Sequence, residues 1–295
     1  MKYFVKGRLI SESNWIELIN YQENNYSNLI TDKNKAIKLL KESFIESIKS
    51  RSKPEEGVLL SGGIDSSIIA FMLNKIKPPL CYSVGLEGSE DLAYSKKLAK
   101  LIKLPLKAKT IDQSKFEKTL RKVSSLLKTD DIVKLEVGSV AYSALSLAKQ
   151  DNIKTVFSGL GSEEIFCGYQ RHTNVLESGY KSLHKECWDG LKGMWEKDLV
   201  RDTTLSSHFN INIETPFLDK NVISAAMKIH PRLKINANYK KIILRDLSLE
   251  LGLSKEFCWR KKKAAQYGSK FDKALIKLAK DNGYKYKKDF VKSLL

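Results

Sequence analysis

Apolar positions change rhythm along the chain, and the changes predict its elements. From Lys33 to Arg51, the residues Ile37, Leu40, Phe44 and Ile48 recur at helical spacing, which predicts an amphipathic helix. Ser52 to Gly57 (SKPEEG) breaks it. Val58-Leu59-Leu60 then reads as a buried strand, followed by a glycine turn and a helix from Ser66 to Lys75. The pattern repeats. Strands are expected over Leu80–Val84, Leu106–Ile111 and Ile153–Ser158, and helices over Glu90–Lys103, Ser114–Leu127 and Leu135–Gln150. Alternation of this kind predicts an α/β doubly wound parallel sheet, covered on both faces. Beyond Gly168 the strands fade, and residues 170–295 read as mostly helical, punctuated by Pro216 and Pro231. The first 32 residues are weakly patterned, with KYFVKGRLI as a possible strand. The expected organisation is an extension over 1–32, a catalytic domain over 33–270 and a basic helical tail over 271–295.

Composition narrows the class. The 295 residues are 42% hydrophobic and 29% charged, an ordinary globular balance that argues against disorder. The longest apolar run, Ile68 to Leu73, is too short to cross a bilayer, and the N-terminus has no apolar signal segment, so a cytoplasmic protein is expected. Cys81, Cys167, Cys187 and Cys258 show no CxxC spacing, which argues against a zinc or iron–sulfur cage and leaves buried thiols. The net charge of +18 suits anionic partners, RNA among them. A solvated lysine-rich surface explains it more simply: Lys96, Lys97, Lys100 and Lys103 share the wet side of one expected helix. His172, His184, His208 and His230 stand apart, without metal spacing or triad partners, and take no role.

Two segments carry chemistry. The first is Ser61-Gly62-Gly63-Ile64-Asp65-Ser66-Ser67, between a buried strand and a helix. Its glycines permit a tight turn and close backbone approach to a ligand. The helix start offers free N–H groups and a positive dipole end, and the hydroxyls of Ser61, Ser66 and Ser67 add donors. The sum is a phosphate cradle, without the lysine of a Walker loop. Asp65 would repel phosphates unless a cation intervened, so it points to Mg²⁺. The competing reading is an ordinary glycine turn with a helix cap.

The second segment is Ser158-Gly159-Leu160-Gly161-Ser162-Glu163-Glu164-Ile165-Phe166-Cys167-Gly168-Tyr169. Here another strand end turns through glycine into an acidic pair. In a doubly wound sheet, ligands sit at the carboxyl ends of strands, so both turns can face one crevice. Dipole-favoured glutamates at a helix start are the plainer reading.

VLLSGGIDSS resembles the pyrophosphate loop of the N-type ATP pyrophosphatases, which cleave ATP to AMP and pyrophosphate while adenylating a substrate oxygen. SGLGSEEIFCGY resembles the SGEGxDE(L/V)FGGY segment of the asparagine synthetase domain, which β-lactam synthetase shares. Further blocks follow in the family's order: Tyr82 to Leu92 as its second strand and loop, Thr215-Pro216-Phe217-Leu218-Asp219 as PFLD, Lys241 to Arg245 as KxxLR, and Trp259 to Lys263 as a basic stretch. The resemblance covers residues 35–270 and implies a pyrophosphate-loop (PP-loop) fold that uses ATP and Mg²⁺.

It also implies roles. Leu59, Val84, Ser158 and Gly159 match positions that hold adenosine; Ser61, Gly62, Gly63, Ser66 and Ser67 match the pyrophosphate cradle. Asp65 and Glu163 match the magnesium carboxylates, and Lys241 matches a lysine near the reacting phosphate. Arg260 to Lys263 is either a phosphate-facing cluster or a wet surface.

Four departures qualify the match. Position 2 is Lys2, not the family's nucleophilic cysteine, and no glutaminase domain is expected, so nitrogen would come from free ammonia or a partner glutaminase subunit. Leu160 stands where the family has a glutamate, and can neither take a proton nor bind ammonium. Glu163 replaces an aspartate, and Glu214 an arginine. The expected activity is an ATP-dependent amide ligase that adenylates a small carboxylate, aspartate first, and amidates it with ammonia. The alternatives are a PP-loop RNA-modifying enzyme, or a nucleotide-binding subunit that has lost the second half-reaction.

Overall fold

The computed structural model of the chain describes residues 4–5, 8–25, 28–261 and 263–295. The chain divides into two compact units, each assembled from separate stretches. One comprises 53–158, 200–214 and 260–295; the other comprises 1–52, 159–199 and 215–259.

At the N-terminus, the expected single strand is instead two short ones, β1 (Phe4–Val5) paired antiparallel with β2 (Arg8–Leu9); residues 2, 3, 6 and 7 lie outside the described residues. The first compact unit holds a five-stranded parallel sheet of β3 (Glu56–Leu59), β4 (Leu80–Gly85), β5 (Leu106–Thr110), β6 (Thr155–Phe157) and β7 (Asn212–Glu214). Their order is β5-β4-β3-β6-β7. The chain first moves outward from β3 to β5, then returns to place β6 on the other side of β3. Right-handed crossovers make that reversal a doubly wound sheet with a switch point between β3 and β6. Register pairs Val58 with both Cys81 and Phe157, so β3 and β6 end nearly level while β4 runs on to Gly85. β3 and β4 are buried nearly throughout, as strands covered on both faces must be. The β5 edge carries Lys107 and Lys109, charges that blunt unpaired strand edges.

Aspartate and serine caps fix where the helices begin. Asp32 accepts from the Lys35 N–H at 2.7 Å and starts Lys33–Arg51 where the periodicity places it. Asp112 and Asp131 do the same for Gln113–Leu127 and Ile132–Gln150. They start these helices earlier than apolar spacing alone suggests. The final helices, Phe271–Asp281 and Lys287–Lys292, bury Phe271, Leu275, Leu278, Phe290 and Val291 in the sheet unit's core. Phe271 packs edge-on against Phe116, with ring centroids 5.1 Å apart.

The second unit is helical. Helix Glu12–Asn24, which the weak N-terminal pattern conceals, buries Trp15 and Ile19. The Trp15 indole donates to the Leu191 carbonyl of helix Tyr180–Met194 at 2.8 Å. Pro216 and Pro231 each open a single 3₁₀ turn, where a missing N–H costs nothing. Phe217 of the first of these stacks on Phe44 at 5.1 Å. Among the described residues, no helix is long and apolar enough to cross a membrane.

Candidate active site

The glycine–serine turn leaves the carboxyl end of β3 at the switch point. Gly62 adopts a left-handed φ of 67°, and a Cβ there would lie 2.7 Å from the Cβ of Tyr94. Only glycine brings the backbone that close. Gly63 begins helix Ile64–Asn74 without a side-chain cap, so the first-turn N–H groups are not satisfied by a capping side chain. Ser66 Oγ accepts from the Ser61 N–H at 3.2 Å and lies 3.1 Å from Ser61 Oγ, which ties the turn together. Ser67 Oγ is buried with no hydrogen-bond partner, and Asp65 is buried in the first turn. An orphaned hydroxyl beside uncapped N–H groups fits an oxyanion. Leu59 ends β3, Val84 is buried near the end of β4, and Ser158 follows β6, donating its N–H to the Glu214 carbonyl at 2.9 Å. The structure thus brings Leu59, Val84 and Ser158 to the edge from which the turn springs.

The basic stretch resolves into two kinds of residue. Arg260 is buried: its Nη2 pairs with Asp91 Oδ1 at 2.8 Å and its Nη1 donates to the Ser61 carbonyl at 3.0 Å. Its guanidinium lies over the Tyr94 ring, 3.9 Å from the centroid. Lys263 is exposed and pairs with Glu90, and Lys262 lies outside the described residues. Arg260 therefore holds the glycine turn from beneath, a role that a run of basic residues does not advertise.

The second loop belongs to the helical unit. Gly161 has φ 93°, and a Cβ there would meet Leu218 of the PFLD segment at 2.3 Å. Asp219 in turn pairs with Arg51 at 2.8 Å, so PFLD seats the loop. The acidic pair splits. Glu163 is about one-third exposed and accepts from Lys241 Nζ at 2.7 Å. Lys241 is itself 6% exposed and also donates to Ser162 Oγ at 3.0 Å. Glu164 is buried and accepts from the Tyr169 hydroxyl at 2.7 Å. Burial, with the negative charges of Asp198 and Glu163 nearby, pushes its carboxyl up to about 7.

Lys241 is no solvated helix lysine. It caps helix Ile242–Glu250 with a left-handed φ of 58°. Arg245 of the same KxxLR segment donates to the Lys240 carbonyl at 2.7 Å and fixes that turn. Ser162 is the partner of Lys241 that no motif singles out. Burial pushes His172 and His184 down to about 3 and about 4, so both are neutral at pH 7. Asp65 and Gly159 fall in different compact units, as do Asp65 and Glu163.

Mg²⁺ is commonly held by one or two carboxylates, with phosphate and water completing its shell. Among the described residues no group of three or more His, Cys, Asp and Glu could hold a metal ion. A single carboxylate such as Asp65, buried in the first turn beside the uncapped N–H groups, fits the first arrangement.

A doubly wound parallel sheet whose central strand delivers a Gly-Gly-x-Asp-Ser-Ser turn into an uncapped helix start is an α/β fold of the PP-loop class. Comparison then gives the family. The asparagine synthase family pattern matches residues 39–179 and 173–288, and the chain belongs to that family. It is 32% identical over 282 residues to a Methanocaldococcus jannaschii protein provisionally named asparagine synthetase (glutamine-hydrolyzing) 1, covering 84% of this chain and 52% of that one. It is 31% identical over 252 residues to asparagine synthetase B (glutamine-hydrolyzing) of Escherichia coli, covering 79% and 44%. The chain thus spans about half the length of the curated relatives it matches. A solved NMN synthetase from Francisella tularensis overlaps 71% of this chain and all of its own, with 14% identity and a TM-score of 0.34.

Proposed function

We propose that the chain is an ATP-dependent amide ligase that adenylates a carboxylate, aspartate first among candidates, and amidates it with ammonia. The observation that carries this reading is the cradle after β3: an uncapped helix start, two glycines, three serines and a buried aspartate. Its N–H groups and hydroxyls suit a pyrophosphate, and Leu59, Val84, Ser158 and Gly159 are the positions proposed for adenosine. Asp65 and Glu163 are the residues that would hold Mg²⁺, which when bound offsets negative charge on the phosphates.

A substrate carboxylate oxygen attacks the α-phosphorus. The bond to the departing pyrophosphate breaks, and an acyl-AMP forms. Lys241, buried and oriented by Glu163 and Ser162, supplies a fixed positive charge where negative charge builds in that step. Ammonia nitrogen then attacks the acyl carbon, the C–O bond to AMP breaks, and the amide is released. Leu160 offers no proton acceptor, so the proton lost from nitrogen passes to another group. The nitrogen is ammonia itself or comes from a glutaminase-bearing partner.

A screen of carboxylic acids, with and without ammonium, tests the reading by following AMP and pyrophosphate. AMP formation that requires both an acid and ammonium supports it. Formation of ADP, or AMP release indifferent to the acid, overturns it. In the same assay Asp65→Ala is expected to abolish Mg²⁺-dependent ATP–pyrophosphate exchange, and unchanged exchange refutes the metal role.

A further inference from the structure

Cys167 and Cys187, twenty residues apart, meet inside the helical unit. Their sulfurs lie 3.4 Å apart, and both residues are fully buried. Lys234 is also fully buried, within electrostatic reach of both sulfurs. The one acceptor within reach of its Nζ among the described residues is the Met227 sulfur, at 3.8 Å. An ammonium sealed away from water without an oxygen partner is costly, so this amine needs a reason to be there. Burial lowers the lysine's affinity for its proton, while the two sulfurs act in the opposite sense. The contact between the two sulfurs and the charge of Lys234 draw Cys187 toward thiolate, with burial opposing them. Cys167 also sits at a left-handed φ of 56°. That conformation is strained for a non-glycine residue, so the thiol is held in place against its own backbone.

We propose that Cys167, Cys187 and Lys234 form a buried oxidation site, in which peroxide closes the two thiols into an intramolecular disulfide. Cys187 Sγ, losing its proton under the influence of the Lys234 charge, attacks one peroxide oxygen, the O–O bond breaks, and the departing hydroxide takes that proton as water. Cys187 is then a sulfenic acid. Cys167 sulfur attacks Cys187 sulfur, the S–O bond breaks, and hydroxide leaves with the Cys167 proton as a second water. Two thiols lose two electrons in all, and the peroxide gains them. Because the pair is buried, hydrogen peroxide reaches it and bulky disulfides do not. Closure draws the sulfurs from 3.4 Å to bonding distance, about 2.05 Å. The neighbouring Gly168 packs so tightly that a Cβ there would lie 1.8 Å from Glu163 Oε2 and 2.3 Å from Lys241 Cε. Closure therefore disturbs the Glu163–Lys241 pair. That last consequence rests on the ligase reading, whereas the thiol chemistry does not.

The test treats the whole folded chain with millimolar hydrogen peroxide, counts free thiols and maps cross-linked peptides by mass spectrometry. The expected result is loss of two of the four thiols, a cross-link joining Cys167 to Cys187, and full recovery with dithiothreitol once the chain is unfolded. Oxidised glutathione is expected to leave all four. Lys234→Met, close in volume, is expected to slow the closure about tenfold. Cys167→Gly, which also relieves the backbone, is expected to form no cross-link and to leave Cys187 at the sulfenic acid. Four free thiols after peroxide, a cross-link between any other pair, or an unchanged rate in Lys234→Met overturns the proposal. ATP–pyrophosphate exchange is followed alongside. If the cross-link forms and exchange exists but is unaffected, the regulatory consequence is wrong; if no exchange exists at all, the ligase reading is at fault and the oxidation site stands.

Discussion

Removing the Arg260 guanidinium exposes how the glycine turn is held. The Arg260 and Asp91 side chains are 3% and 5% exposed, so Arg260→Met strands a carboxylate in the interior. Breaking a buried pair by deleting one partner costs about 3–5 kcal/mol. Loss of the stacked cation over Tyr94 adds about 1–2 kcal/mol. The Ser61 carbonyl loses its donor as well. Arg260→Met is therefore expected to destabilise by about 4–7 kcal/mol, read as a shift of the urea unfolding midpoint followed by far-ultraviolet circular dichroism. The double variant Arg260→Met/Asp91→Leu removes both charges and is expected to recover most of that loss, since paired replacement of a buried ion pair is often neutral. Arg260→Lys keeps the charge but lacks the fork that reaches Asp91 and Ser61 together, and is expected to fall between. A single variant within about 1 kcal/mol of the parent refutes the reasoning, as does a double variant no better than the single.

Other measurements bear on the second loop and the cradle. Glu164 has its proton affinity raised to about 7 against an ordinary 4.5, so the folded state binds the proton more tightly than the unfolded one. Its contribution is intact below about pH 4.5 and is lost as pH rises through 7; Glu164→Gln is expected to flatten that slope and to stabilise at pH 8 by roughly 3 kcal/mol. Parallel unfolding curves for the two proteins from pH 4.5 to 8 would contradict it. Lys241→Met should lower the adenylation rate on the order of 10²–10³-fold, with far-ultraviolet circular dichroism unchanged; a loss of less than tenfold in single-turnover AMP formation speaks against its role. Gly62→Ala combines left-handed strain with overlap on Tyr94 and should cost about 2–4 kcal/mol along with weaker ATP binding by calorimetry; wild-type stability would show that the turn tolerates a side chain.

Much of the sheet unit is legible in the sequence because its signals are local. Apolar runs bounded by glycine give β3, β4 and β6, and helix Lys33–Arg51 falls where its apolar spacing and Asp32 cap place it. Helix Glu12–Asn24 is harder to see, since Trp15 and Ile19 are its only buried residues in a polar stretch capped by Ser11. β7 has three residues on a sheet edge, paired on one side, and so carries no run of apolar residues. The cradle residues sit within one heptapeptide and can be read together. The partners of Lys241 and Arg260 cannot, because Glu163 lies 78 residues from the first and Asp91 lies 169 residues from the second. A lysine's burial is set by what folds over it, which neighbours in sequence do not encode. The same distance hides the meeting of Cys167 with Cys187, whose spacing fits no metal-binding pattern.

Each of the two compact units is stitched from three stretches of chain. No single cleavage releases either one whole, so limited proteolysis is a poor route to an isolated nucleotide-binding fragment. On the ribosome, residues 1–52 emerge well before the last stretch of their unit, which ends at residue 259. The early helices must therefore wait, with Trp15, Phe44 and Ile48 uncovered, until that stretch has been made.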